Sequence, residues 1–330
     1  MPRSAPAPGI QEIVLTANEV RPADDVIRGL ATEYGSTEDL GLLTTLAGCR
    51  DTLPARLSDA LAGARSRQGC PVTVVRRPRP AEDIGATPPH WRVRGRTATA
   101  VHDLWLALVV VQVGDPVCWQ TLQDGRLFND VLPIEGQERA QTGHSSVNDL
   151  AFHVEDAFDD DRCDMLALMC LRNRERTATT VATTSRIDVG TEEYEPLCRP
   201  RFAIRPDPEH LKASAAGDLP PVWRPVLFGD SQSQPYLRVD PTYTTTAPGD
   251  EMAERAFARL CRQLERALVR VRLRPGDLML IDNYRAVHGR EPFRPRYDGT
   301  DRWLRKLTLT FDLQRSLRRR QGGGRALALS

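Results

Sequence analysis

The chain has almost no net charge, with 45 lysines and arginines against 44 aspartates and glutamates. Nucleic-acid binding draws its affinity from accumulated positive charge, so this balance argues against a polyanionic partner. The one basic concentration, Arg315 with Arg318, Arg319 and Arg320 ahead of Gly322 to Gly324, reads as a solvated, flexible tail over 316–330. Long apolar runs are missing too. The longest, Leu104 to Val111, falls far short of the roughly 20 residues that a membrane helix needs, so no membrane partner is expected. Met1 to Gly9 is rich in Pro and Ala and lacks the apolar centre of a signal peptide. Seven cysteines form an odd set with no C-x-x-C pair and no zinc spacing, which points to a reduced, cytoplasmic protein. No internal repeat is present, and nothing in the composition speaks to oligomeric state.

What is present falls into two textures. Helical spacing dominates 1–115: Ala23 to Tyr34, a stretch introduced by Ser36-Thr37-Glu38-Asp39, Pro54 to Ser66, and the buried-looking Thr97 to Val113. Val72 to Val75 is a short strand among them. From 116 to 315 short strands take over, at Leu127 to Leu132, Leu150 to His153, Met165 to Leu171, Thr177 to Thr184, Leu278 to Asp282 and Leu304 to Leu313. Asp124-Gly125 is a hairpin signal between Trp119 to Leu122 and Leu127 to Val131. An irregular insertion at about 190–235 and a long amphipathic helix from Asp250 to Val271 interrupt the strands. Helices first, strands later and one late helix predict a single, mainly β domain over 1–330, a sandwich or jelly roll with α elaborations.

Phe152-His153-Val154-Glu155 carries the first chemical signal. Side chains two apart on a strand share a face, so His153 and Glu155 are expected to project together. An imidazole beside a carboxylate supplies two thirds of a facial triad for non-haem Fe(II), although H-x-E alone also recurs by accident. His288, after the buried strand at 278–282, is placed to deliver the third ligand. Arg302 follows fourteen residues later, and a guanidinium near such a site suits bidentate capture of a carboxylate.

In this order, His153-x-Glu155, His288 and Arg302 resemble the clavaminate synthase-like branch of the Fe(II)/2-oxoglutarate oxygenases, especially the β-hydroxylases of free arginine and asparagine. The phrases FHVEDAF, LALMCLRN, VLFGD, PYLRVD, GDLMLIDNYRAVHGREPF and RYDGTDRW carry the resemblance from about Trp119 to Leu313. It implies a double-stranded β-helix, with Fe(II) on His153, Glu155 and His288. It also implies that 2-oxoglutarate is anchored by Arg302 with a strand hydroxyl, matched to Thr180, and that O2 is the second cosubstrate. Oxidative decarboxylation then yields succinate, CO2 and hydroxylation of an amino acid, or, on the same site, desaturation or cyclisation. A catalytically silent binding protein on this scaffold is the other class of reading, and the intact set argues against it.

Departures from the resemblance bear on the substrate. Arginine hydroxylases grip the guanidinium with two acids one residue apart; here the pair is Asp240 and Thr242, which opens the choice to arginine, citrulline, asparagine, lysine or a cyclic guanidino amino acid. Where the family often carries a second arginine for the substrate carboxylate, this chain has Lys306, with Arg305 beside it. Gln123 is matched to the α-amino contact, and Glu155 borders the same space. VLFGD, ending at Asp230, and the insertion before it are expected to form a lid. His102, His144 and His210 read as hydrogen-bonded or surface residues, Asp156 as a turn residue, Arg290 and Arg296 as solvated, and Cys163 and Cys170 as packing thiols. Asp240 has a plain alternative, an ion pair with Arg238 or Lys306.

Overall fold

The computed structural model describes residues 7–34, 36–78, 80, 83–93, 99–213, 220–229, 234–320 and 324–329. Two sheets face each other. The larger runs in the order Ile10–Val14, Val72–Arg76, Leu278–Asp282, Met165–Arg172, Trp303–Thr310, Asp115–Trp119 and Ala326–Leu327, with Asn129–Val131 also paired to Trp303–Thr310. The smaller orders Val269–Val271, Thr179–Thr183, Ala286–Arg290 and Leu150–His153, all antiparallel. This is the jelly-roll core that the strand texture implies.

The strand Met165–Arg172 shows why its sequence is apolar throughout rather than alternating. Leu166, Leu168 and Cys170 face the space between the sheets with Val181, Met279, Ile281 and Leu304. Met165, Ala167 and Met169 face outward, but there they meet the N-terminal helices through Trp105, Leu106 and Leu108. A strand covered on both faces has no polar side to show. The helix Ala100–Val111 is correspondingly buried almost all round. On the other side, the helix Glu251–Ala267 lays Ala253, Ala256, Leu260 and Leu264 against Ala182 and Val287 of the smaller sheet.

Several elements differ from the sequence reading. The first long helix starts at Ala17, six residues ahead of Ala23, because Thr16 and Glu19 form a reciprocal capping box. Asp124-Gly125 does turn the chain, with Asp124 at φ 60°, but it makes no hairpin. Asp115–Trp119 pairs with Thr308 to Thr310, and Asn129–Val131 pairs with Leu304 to Lys306. The two segments lie end to end along one edge of Trp303–Thr310, and the chain between them loops out. The described part of the expected basic tail is packed rather than free: Arg319 pairs with Asp159 and Asp161 over the Trp119 ring, Arg320 is buried, and Ala326–Leu327 adds a parallel strand to Asp115–Trp119, while 321–323 and 330 lie outside the described residues. Arg290 is likewise buried rather than solvated. All seven cysteines are free thiols, and among the described residues no helix is long and apolar enough to cross a membrane.

Trp303–Thr310 divides its side chains between two environments. Arg302, Leu304 and Lys306 line a cavity between the sheets. Arg305 points the other way, fully buried, where Nε donates to Asp103 at 2.7 Å, Nη2 donates to Thr99 at 2.7 Å, and Nη1 pairs with Asp130. Trp303 Nε1 donates to the same Asp130 at 2.6 Å. Removing the cation takes its charge away from two buried aspartates, Asp103 and Asp130, at once. We expect Arg305→Met to lower unfolding stability by about 3–5 kcal/mol, read from urea denaturation midpoints, with an unchanged midpoint refuting the assignment.

Candidate metal centre and active site

His153 closes the strand Leu150–His153 and sits directly across the ladder from His288 on Ala286–Arg290. Cross-strand partners put their side chains on the same face, and the two imidazole centroids lie 4.4 Å apart. Gly289 makes the approach feasible: a Cβ there would lie 2.6 Å from the carbonyl oxygen of Leu150. Glu155 lies two residues past the end of the strand, yet still turns into the same space. Its backbone is clamped by Asn283, whose Oδ1 accepts from Glu155 N at 2.7 Å and whose Nδ2 donates to Glu155 O at 2.9 Å. Asp156 then takes a left-handed φ of 53° and sends the chain away.

Glu155 Oε2 is 3.5 Å from His288 Nε2 and 3.9 Å from His153 Nε2, and one ligand atom from each of the three residues falls within 4.8 Å of the others. His153 donates Nδ1–H to the carbonyl of Ala151 at 2.9 Å, which leaves Nε2 as the nitrogen facing the triad. Burial disfavours charge on His153, but Glu155 and Asp240 outweigh it and push the imidazole up to about 9. His288 goes the other way: burial, then the charge on His153, bring it down to about 4, so the proton that a metal ion would displace from the pair is the one on His153. Burial opposes ionisation of Glu155, and Lys306 together with the two imidazoles more than reverses this, holding the carboxyl well below its usual range. Two imidazoles and a carboxylate that converge in this way fit a divalent first-row metal such as Fe(II).

Arg302 lines the same cavity and is buried, and its Nη2 donates to Thr179 Oγ1 at 3.2 Å. Among the described residues its Nε has no partner and no carboxylate pairs with it, and burial pushes the guanidinium down to about 10. A buried cation without a carboxylate partner is costly, and an anionic ligand removes that cost. Arg290 stands nearby, donating only to neutral acceptors: the carbonyls of Ser146, Asn148 and Glu291 and the Ser145 hydroxyl. This end of the cavity therefore fits a dicarboxylate such as 2-oxoglutarate.

The strand hydroxyl beside Arg302 is Thr179, not Thr180. Alternation puts these neighbours on opposite faces, and Thr179 is the one that lines the cavity. Gln123 does not reach the cavity. Its amide is taken up by the backbone of Asp130, accepting at 2.9 Å and donating at 2.8 Å, and Leu122 lines the wall instead. Asp240 and Thr242 both line the wall, with Asp240 Oδ1 accepting from the backbone N–H groups of Thr242 and Tyr243. Burial raises the Asp240 carboxyl above its ordinary range. Neither alternative ion pair for Asp240 forms: Arg238 pairs with Asp160 at 2.6 Å and Lys306 pairs with Glu155.

The insertion reaches the cavity through Ile204, Arg205, Asp207 and Glu209, while Asp230 lies outside the described residues. His210, on the short helix Pro208–Ala213, is fully buried; Nε2 lies 3.0 Å from Asp156 Oδ1 and Nδ1 lies 2.7 Å from Thr121 Oγ1. Trp119 Nε1 donates to the other oxygen of Asp156 at 2.7 Å. The insertion is thus pinned to the residue that follows Glu155. Sequence reasoning overlooked Asn283 and this pin, and it read Arg290 as solvated. A polar residue directly after an apolar strand is a faint signal for Asn283, and no local pattern marks His210.

Residues 123–308 match the model of the family described as Taurine catabolism dioxygenase TauD, TfdA family. The chain is 37% identical over 326 residues to an enduracididine beta-hydroxylase of Streptomyces hygroscopicus, covering 92% of this chain and 95% of that protein. It is 34% identical to an L-ornithine/L-arginine 3-hydroxylase of Catenulispora acidiphila, covering 93% and 96%. Among solved structures, the non-heme iron oxygenase OrfP in complex with Fe, succinate and (3S)-hydroxy-L-Arg superposes with a TM-score of 0.88 at 36% identity, over 96% of this chain and 99% of that one. With a matching family model across more than half its length, relatives aligned nearly end to end and a triad in place, this chain belongs to the TauD/TfdA dioxygenase family.

Proposed function

We propose that this enzyme hydroxylates the β-carbon of a free L-amino acid whose side chain ends in a basic, urea or amide group. The observation that carries the reading is a two-histidine, one-carboxylate set sharing one cavity with a buried guanidinium that has no carboxylate partner among the described residues. Bound Fe(II), with 2-oxoglutarate and O2, supplies the oxidant that removes hydrogen from an unactivated C–H bond, leaving succinate and CO2. His153, Glu155 and His288 would hold the metal, and three protein ligands would leave room for a chelating 2-oxo acid and O2. Arg302, with Thr179 beside it, takes the distal carboxylate of the cosubstrate.

Substrate choice falls to the opposite wall. Asp240 contributes one carboxylate and Thr242 a hydroxyl, a combination suited to a side-chain tip that presents several N–H groups. Relatives named for enduracididine, ornithine or arginine hydroxylation, and the OrfP complex with (3S)-hydroxy-L-Arg, support both the basic tip and the β position. The insertion, pinned through His210 to Asp156, closes over this wall and keeps water from the reacting carbon.

Anaerobic addition of Fe(II) and 2-oxoglutarate is expected to give a visible charge-transfer band that His288→Ala abolishes; a band unchanged in that variant rules out the triad. Arg302→Met should raise the KM for 2-oxoglutarate about 30-fold or more, the cost of losing a buried charge partner. For the substrate wall, Asp240→Asn is expected to lower kcat/KM on a basic amino acid by roughly 10–100-fold while substrate-free succinate formation persists. An unaltered ranking across a panel of L-amino acids would remove Asp240 from the site. His210→Ala should raise the ratio of succinate to hydroxylated product, measured by mass spectrometry, and a ratio equal to wild type would show that the pin does not govern closure.

A further inference from the structure

We infer that Lys306 is a positioning residue for Glu155, selecting which carboxylate oxygen is offered to the metal. The inference rests on the reading of His153, Glu155 and His288 as the iron site. Lys306 replaces an arginine expected from resemblance, and the structure gives the lysine a specific partner. It follows Arg302 and Leu304 on the cavity face of Trp303–Thr310, and its Nζ is bonded to Glu155 Oε1. The other oxygen, Oε2, is the one that lies 3.5 Å and 3.9 Å from the two imidazole Nε2 atoms. The division of labour within this carboxylate is therefore complete: one oxygen faces the ammonium and one faces the metal ligands.

Two further observations make the arrangement directed rather than incidental. Asn283 fixes the Glu155 backbone through both N–H and C=O, so the side chain swings from a fixed base and Lys306 sets its far end. Asp156, the other acid facing the ammonium, has its two oxygens occupied by His210 and Trp119, which leaves Glu155 as the acceptor. A cation at this position closes on the nearest buried carboxylate, and lysine does so as a point charge. The chemical consequence concerns coordination number. A carboxylate that offers one oxygen uses one position of an octahedral metal and leaves three for a chelating 2-oxo acid and O2, whereas two-oxygen ligation leaves two.

The test is Fe(II) affinity and the charge-transfer band of the anaerobic Fe(II)/2-oxoglutarate complex, measured on the full chain. Lys306→Met, nearly isosteric but uncharged, should weaken Fe(II) binding by about 10–100-fold, as loss of a group that orients a metal ligand does, and displace the band. Lys306→Arg should restore most of the affinity, which a loss through misfolding would not allow. Wild-type affinity together with an undisplaced band in Lys306→Met overturns the inference. Absence of the band from the wild-type protein overturns the triad reading itself, and the inference with it, so the two failures are told apart.

Discussion

A carboxylate held away from water beside two imidazoles is the constraint on which this molecule turns. Stripping solvent from such a group costs several kcal/mol unless the surroundings replace it. Here the replacement is distributed: an ammonium from one sheet, imidazoles from the other, and an asparagine that grips the peptide on both sides of the ligand. Each of those groups sits on a different strand or turn. The two sheets must therefore close in one register for Glu155 to be tolerated, and a metal that takes up Oε2 adds a further favourable term to the same closure.

The strand Trp303–Thr310 transmits that requirement across the molecule. Its cavity face holds Arg302 and Lys306, while its other face holds Trp303 and Arg305 in a fully buried cluster with Asp130 and the helix Ala100–Val111. A strand cannot slide by one residue without exchanging these faces. Burying Arg305 between two aspartates thus locks the parity of the residues that meet the ligands. The helical N-terminal part acts on the chemistry in this way, although it contributes no side chain to the triad.

What could be read from residues alone was the part that depends on identity and order. The H-x-E pair, His288 and Arg302 are rare types at telling positions, and the structure gathers them in one cavity. What could not be read depends on parity and on long-range closure. Thr179 and Thr180 are chemically identical and differ only in which face a strand presents. Gln123 looked available because nothing local shows that the backbone of Asp130 takes up its amide. Asp124-Gly125 has true turn chemistry, yet whether a turn folds a strand back or lets it continue along a distant partner is decided by residues 304–310. Arg290 and the arginines of the tail look like solvated charges until the carbonyls and aspartates that receive them are brought near by the fold.

That interrupted pairing along Trp303–Thr310 has an evolutionary reading. Because Asp115–Trp119 and Asn129–Val131 are each registered independently against the same strand, the stretch from 120 to 128 can change around its two anchors, Thr121 on His210 and Gln123 on Asp130, without moving the ladder on either side. Leu122, within that stretch, already forms part of the cavity wall. The loop-out therefore gives a lineage a way to reshape the chamber while the iron ligands stay where they are. New substrate ranges can arise there by insertion and drift, with the oxidative machinery inherited intact.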